Sequence, residues 1–285
     1  MSATALLLLL VAAAVHAGWN LLVKQAGEKH VFSWWALVTG GLLFLPLVFW
    51  GAPWPARVWP YALASGLAEA GYFALLAWAY RLTDFSLAYP LARGAAPALL
   101  ALWAVLWLRE TPRPGGVLGL GTLVLGLLIV GATGAKGPGG RARRPWAGIA
   151  AALAVGVLIS LYSVIDGAAV RFVPPVPYTA LVLALGALLV TPAVLLLYDR
   201  RALLAEWRRS WRRILLVGPL MLLSYGLVLI AYTLAPVSYA GAVREVSILF
   251  AALAGWRWLR EPLGRWRLAG AGLICAGILL IAFAG

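Results

Sequence analysis

Acidic residues are scarce in this chain. Of 285 residues only nine are Asp or Glu, against 23 Lys and Arg, and charged residues of both signs make up just 11%. A soluble domain of this length needs far more polar surface to cover its core. Cysteine is nearly absent: Cys275 stands alone, which excludes an intrachain disulfide and a thiolate metal cluster. Histidine occurs only at His16 and His30, and no HExxH, GxSxG or GxxxxGK[ST] run is present. Those absences exclude a helical zinc-protease site, a nucleophile-elbow hydrolase and a phosphate-binding loop for direct use of ATP. The reading therefore expects no metal and no cofactor.

Apolar residues are what the chain has in plenty, at 64%, with a mean hydropathy of +0.95. They come in runs close to the roughly 20 residues that a helix needs to cross a bilayer. The runs are continuous rather than alternating, which points to helices and not to a barrel. Ten spans are expected, near 3–24, 31–50, 58–81, 84–108, 114–131, 146–171, 177–198, 212–234, 238–259 and 266–284. Val15-His16-Ala17 resembles a leader cleavage site, but no basic side chain precedes it in Met1 to Thr4, so the first run reads as a retained span. Many of the 15 tryptophans lie near run ends, as at Trp50, Trp54 and Trp59, the level of the lipid headgroups. The stretch 199–211, with its arginines in amphipathic order, is expected to lie on the membrane surface.

The net charge of +14 would raise nucleic acid as a partner in a soluble protein. Here the basic residues sit between apolar runs and read as orientation signals and contacts to phospholipid headgroups. Membrane lipids, and no nucleic acid, are therefore the expected partners. Loops after even-numbered spans hold only Arg57, Arg109, Arg113 and Arg171. Loops after odd-numbered spans hold most of the rest, which places them in the cytoplasm and both termini outside.

An internal repeat organises the chain. Leu108-Arg109-Glu110 recurs as Leu259-Arg260-Glu261, Arg93 as Arg244, and Gly119, Gly121 and Gly126 as Gly270, Gly272 and Gly277, all at an offset of 151. Ala79-Tyr80 and Ser86 match Ala231-Tyr232 and Ser238 at 152. The expected domains are residues 1–131 and 146–285, five spans each, joined by a basic, Gly-rich linker at 132–145. An odd number of spans turns the second repeat upside down, an arrangement that places a transport site near the midplane between the halves.

Polar groups at membrane depth are costly, so each is a site candidate. His16, Trp19 and Asn20 form one stripe on span 1, and Tyr162 with Asp166 forms another on span 6. Glu69 sits in the middle of span 3, and Arg93 lies in span 4 between Pro90 and Pro97. Arg244 and Glu245 sit two turns into span 9. The nine together are the expected substrate-binding residues. Two desolvated guanidiniums at equivalent places suit a carboxylate or phosphate, and Glu69 and Glu245 suit an ammonium group, the balancing of the arginines or the carrying of a proton. The structural alternative is neutralisation, by pairings of Arg93 with Glu69 and of the Arg244–Glu245 type that hold helices together. Arg244 and Glu245 are neighbours, so on a continuous helix they face differently and each needs a partner elsewhere. Gly115 and Gly119 give a GxxxG spacing for close helix approach, which makes spans 5 and 10 the expected brace between halves. Arg109-Glu110 and Arg260-Glu261 read as interfacial anchors and gate-side ion pairs.

Two five-span halves, each closing with Leu-Arg-Glu and a glycine-rich last span, resemble the drug/metabolite transporter superfamily and its EamA-type members. His16-Ala17-Gly18-Trp19-Asn20 with Lys24, and Tyr162-Ser163 with Asp166-Gly167 and Arg171, look like motifs of one bacterial branch. The resemblance implies ten helices, a central cavity lined by spans 1, 3, 4, 6, 8 and 9, and export. It also implies termini in the cytoplasm, opposite to the charge count. Related small multidrug transporters use a glutamate in their first span, where this chain has His16. The function expected is a secondary transporter, not an enzyme, that carries a small zwitterionic or anionic solute across the inner (plasma) membrane by alternating access. A second copy of the chain, as a homodimer, is a candidate partner. A lipid flippase, a proton-coupled drug exporter and, more remotely, an intramembrane enzyme are the alternatives.

Overall fold

In the computed structural model the described residues are 1–50, 53–82, 85–133, 145–250 and 265–285. Regular structure among them is entirely helical. The helices are α1 (Ala3–Lys24), α2 (Lys29–Leu43), α3 (Leu45–Trp50), α4 (Val58–Leu82), α5 (Phe85–Leu108), α6 (Pro114–Thr133), α7 (Pro145–Ala169), α8 (Pro175–Leu197), α9 (Arg200–Tyr232), α10 (Val237–Arg244) and α11 (Arg265–Ala284). Prolines open α6, α7 and α8, a position where the missing N–H leaves no intrahelical bond unmade. Residues 3–23, 146–169, 175–197 and 200–232 are each long and apolar enough to cross a membrane, and shorter apolar stretches run over 92–108, 114–130 and 268–284. The outer faces are apolar too: Trp50 and Phe283 are 82% and 87% exposed, a surface suited to lipid.

Three elements differ from the sequence reading. The second span is broken at Phe44, whose N–H bonds Gly40 O, and resumes as α3. Pro46 is the cause, because it has no N–H to offer Leu42. The stretch 199–211 is not a separate surface helix but the start of α9, which runs for 33 residues. Asp199 caps it through Ala202 N–H at 2.7 Å, and no glycine or proline interrupts it before Gly218. Its length is about 50 Å, so its basic first third extends beyond an apolar layer of roughly 30 Å. Span nine also breaks. α10 ends at Arg244, and successive bonds from Glu245, Val246, Ile248 and Leu249 reach back three residues rather than four. Such a tightened turn inside a helix is a hinge geometry. The linker 134–144 and the segment 251–264, with its second Leu-Arg-Glu, lie outside the described residues.

Packing follows the repeat. α1 packs on α9 and α10, and its counterpart α7 packs on α4 and α5. α2 packs on α9 as its counterpart α8 packs on α4, and α2 meets α8 directly. α6 and α11 make the most extensive contact. A Cβ on Gly119 would lie 2.9 Å from Gly277 O, and one on Gly126 would lie 2.6 Å from Gly270 O. Gly119 and Gly270 are equivalent in the repeat, as are Gly126 and Gly277. The same contact is therefore made twice, antiparallel, as a local two-fold axis between the helices requires. The expected brace between the last spans of the halves is present.

Candidate functional site

A cavity of about 520 Å³ lies between the halves. It reaches the end where α1 stops and α2 begins, where Val23, His30, Ser33 and the exposed Lys29 line it. His16, Trp19, Asn20, Glu69, Arg93, Tyr162 and Arg244 all reach its wall. Besides the helices of the expected lining, α2 and α8 contribute, through Leu37, Leu183 and Gly186. Most of the wall is apolar or aromatic, so the polar groups in it fix orientation.

The cationic part of the wall is built from both repeats. Arg93 donates to both Glu245 oxygens, at 3.0 and 3.3 Å. Arg244 donates from Nε and Nη2 to Glu245 Oε1, at 3.3 and 3.2 Å, and reaches Ser163 Oγ at 3.4 Å. Glu245 is 1% exposed and stands behind the wall. Of the two pairings in the structural alternative, one is changed and one is made. Arg93 pairs with Glu245 and not with Glu69. Arg244 pairs with its own neighbour, which is possible because the helix ends between them and the tight turn brings both side chains round. The two equivalent arginines thus share one carboxylate, an arrangement the repeat does not duplicate: the counterpart of Glu245 is Gly94. His16 Nε2 lies 3.2 Å from Arg93 Nη2. A guanidinium only donates, so this ring nitrogen accepts. The His16 ring meets Trp19 edge-on at 4.6 Å between centroids, and Trp19 donates to Ser224 Oγ at 3.3 Å. Asn20 donates to His16 O at 2.8 Å, which leaves its side-chain carbonyl for the cavity.

Across the cavity, Glu69 lies against α8, where a Cβ on Gly186 would come within 2.9 Å of its Oε2. No donor or cation among the described residues bonds the Glu69 carboxylate. Asp166 is fully buried and does not reach the wall. It accepts Tyr178 OH at 2.8 Å and Tyr225 OH, and so holds Tyr225 in place from behind. Tyr225 faces Tyr162 at 6.1 Å, and Tyr162 faces Tyr72 at 6.5 Å, both edge-on. These rings form an aromatic wall beside Glu69. Tyr72, Tyr225 and Ser224 escaped the sequence reading. The offset of 152 pairs Phe73 with Tyr225, and that aromatic match was the available signal.

The opposite end is shut. Glu110 forms no ion pair among the described residues. Its carboxylate accepts Val237 N–H at 2.6 Å, Ser238 N–H at 3.2 Å and Ser238 OH at 2.5 Å. Tyr239 OH accepts Arg113 N–H at 2.9 Å beside it. The equivalent Arg260-Glu261 lies outside the described residues. No group of three or more metal-ligating side chains occurs among the described residues.

Comparison with known proteins follows the same two-fold division. A sequence model of one family, described as the EamA-like transporter family, matches residues 3–132 and again 146–283. A solved crystal structure, described only as that of a protein, is similar over 100% of both chains at 20% identity, with a TM-score of 0.80. At that identity the likeness is one of fold. No curated protein matches the chain.

Proposed function

From the premise that this chain belongs to the EamA-like transporter family, and so is a multi-pass membrane transporter of small solutes rather than an enzyme, we propose that its cargo is a small zwitterion with an apolar body. One observation carries this reading: the cavity wall holds basic groups on one side and a carboxyl group on the other. Arg93 and Arg244 both bond the single carboxylate of Glu245, which sets two guanidinium groups together on one side of the cavity. Glu69 supplies a carboxyl group to which no donor or cation among the described residues bonds. A desolvated guanidinium pair suits a carboxylate, and a carboxylate flanked by tyrosine rings suits an ammonium group. A purely anionic solute would use the first group and leave Glu69 without a partner in the cargo.

The transport cycle we infer is alternating access by ten spans in two inverted repeats, residues 1–131 and 146–285, joined by 132–145. The cavity opens at the end that holds most of the basic residues. On the charge count that end is cytoplasmic, so the structure is an inward-open form loading its cargo for export across the inner (plasma) membrane. The driving force is an ion gradient or exchange.

The test is ligand-induced stabilisation of the purified protein in detergent, with panels of small zwitterions, anions and cations. A ligand at 100 times its dissociation constant stabilises by roughly 2.7 kcal/mol. Zwitterions with an apolar side chain should stabilise most, and should drive counterflow in vesicles. Equal stabilisation by the matching anions that lack the amine would sink the zwitterion reading and favour an anion carrier.

A further inference from the structure

The shut end of the cavity is held by a specific device. α10 has no cap of its own, since Pro236 precedes it without a side-chain acceptor. Its first N–H groups are instead satisfied from the other repeat, by Glu110. The turn that delivers Glu110 is unusual. Arg109 is the one described non-glycine residue with positive φ, at 55°, and Glu110 N–H reaches back to Ala104 O at 3.1 Å. α5 is thereby ended in a left-handed residue, and the carboxylate is aimed at the positive end of α10.

α10 is eight residues long, about 12 Å, and it separates two hollows. At its C-terminal end Arg244 lines the central cavity. At its N-terminal end Glu110, Ser238 and Tyr239 line a second, polar hollow of about 410 Å³, with Arg109, Arg171 and Tyr232. Beyond Arg244 lies the tightened turn at Glu245–Val246. We propose that Glu110 is the latch of this end, and that transport breaks its three hydrogen bonds so that Val237–Arg244 swings about Glu245–Val246 and joins the two hollows into one path.

The latch is built to be reversible. Because it borders a polar hollow, water can take over the bonds that Glu110 releases. The swing also couples gate to cargo. The far end of the moving segment carries Arg244, so an acid group drawing on Arg244 loosens the Arg244–Glu245 contact at the hinge itself. Glu110 is therefore a positioning residue for transport and touches no cargo.

The inference rests on the alternating-access reading, and its test separates the two. Ser163 is fully buried beside Arg244 and serves as a reporter when changed to Cys in a Cys275→Ser background. An impermeant thiol reagent is added from the side of the second hollow. Removal of a helix cap corresponds to about a tenfold shift in a two-state balance, so Glu110→Ala should speed labelling about tenfold, and Glu110→Gln, which keeps one acceptor, by less. Unchanged labelling in Glu110→Ala overturns the latch. In a second arm, Glu110→Cys and Ser238→Cys are joined by a short reducible linker in the same background. Linking should abolish counterflow, reduction should restore it, and ligand-induced stabilisation through the open mouth should persist. Undiminished counterflow in the linked protein also overturns the latch. Failure of the transport reading would appear differently, as no counterflow in the unlinked Cys275→Ser chain, while the labelling arm still reports on Glu110.

Discussion

Arg93 and Glu245, 152 residues apart, meet through two hydrogen bonds of 3.0 and 3.3 Å in the interior of the protein. This contact joins the two repeats at the point where α10 breaks, and it leaves Arg244 competing for the same carboxylate. Removing the shared partner takes away the one carboxylate that both cations bond. Glu245→Gln should therefore lower stability by about 3–5 kcal/mol. Arg93→Ala should lower it by less, because Arg244 and Glu245 remain a matched pair. Thermal unfolding of the two variants in detergent checks the order. If Arg93→Ala is the more damaging change, Arg93 has a structural duty that the ion pair does not describe.

Glu69 tests the opposite wall. Its carboxylate bonds no cation among the described residues, so Glu69→Gln should leave the unfolding temperature of the free protein unchanged. A hydrogen bond to a charged group contributes about 1.5–3 kcal/mol, so binding of a stabilising zwitterion should weaken roughly 10- to 100-fold. Equal binding by the variant would remove Glu69 as the partner of the amine.

Much of this site was legible in the sequence because lipid makes polar residues conspicuous. His16, Trp19, Asn20, Glu69, Arg93, Tyr162 and Arg244 stand out in apolar runs, and all seven reach one cavity wall. The partnerships were not legible. Helical spacing says which residues share a face on a continuous helix, and α10 is not continuous. The break at Glu245 lets sequence neighbours bond each other and frees Glu69 from the pairing with Arg93. The tyrosines were hidden for another reason. Tyr225 is an ordinary residue for an apolar run, and only the fold sets it against Asp166. The long α9 shows a similar limit: its first third has the charge of a surface segment, and only the lack of a breaker makes it one helix with the span that follows.

Asp166 acts through Tyr225. An amide at this position keeps one accepting oxygen for two hydroxyl donors, Tyr178 and Tyr225. Asp166→Asn should lower stability by about 1–3 kcal/mol, the range for a buried polar group left unsatisfied, and should weaken ligand binding although Asp166 is not on the wall. Tyr225→Phe removes the surplus donor. The double variant should therefore be more stable than the sum of the single effects implies, which a double-mutant cycle on unfolding free energies measures. Simple additivity would mean that the two side chains do not act as a unit.

The glycines of α6 separate packing from composition. A Cβ on Gly126 would sit 2.6 Å from Gly270 O and 2.8 Å from Ile274 N, whereas one on Gly121 would meet nothing within 4 Å. The two nearest atoms that Gly126 faces are backbone and cannot swing aside, so Gly126→Ala must push α6 and α11 apart. Overpacking of this kind costs about 1–3 kcal/mol. Gly121→Ala meets open space and gains the helix preference of alanine, up to about 1 kcal/mol. The two changes are chemically identical and five residues apart on one helix, yet unfolding temperatures should move in opposite directions. Equal losses would show that α6 tolerates no alanine for reasons of its own, and the close α6–α11 contact would no longer explain why the glycine-rich last span recurs in both halves.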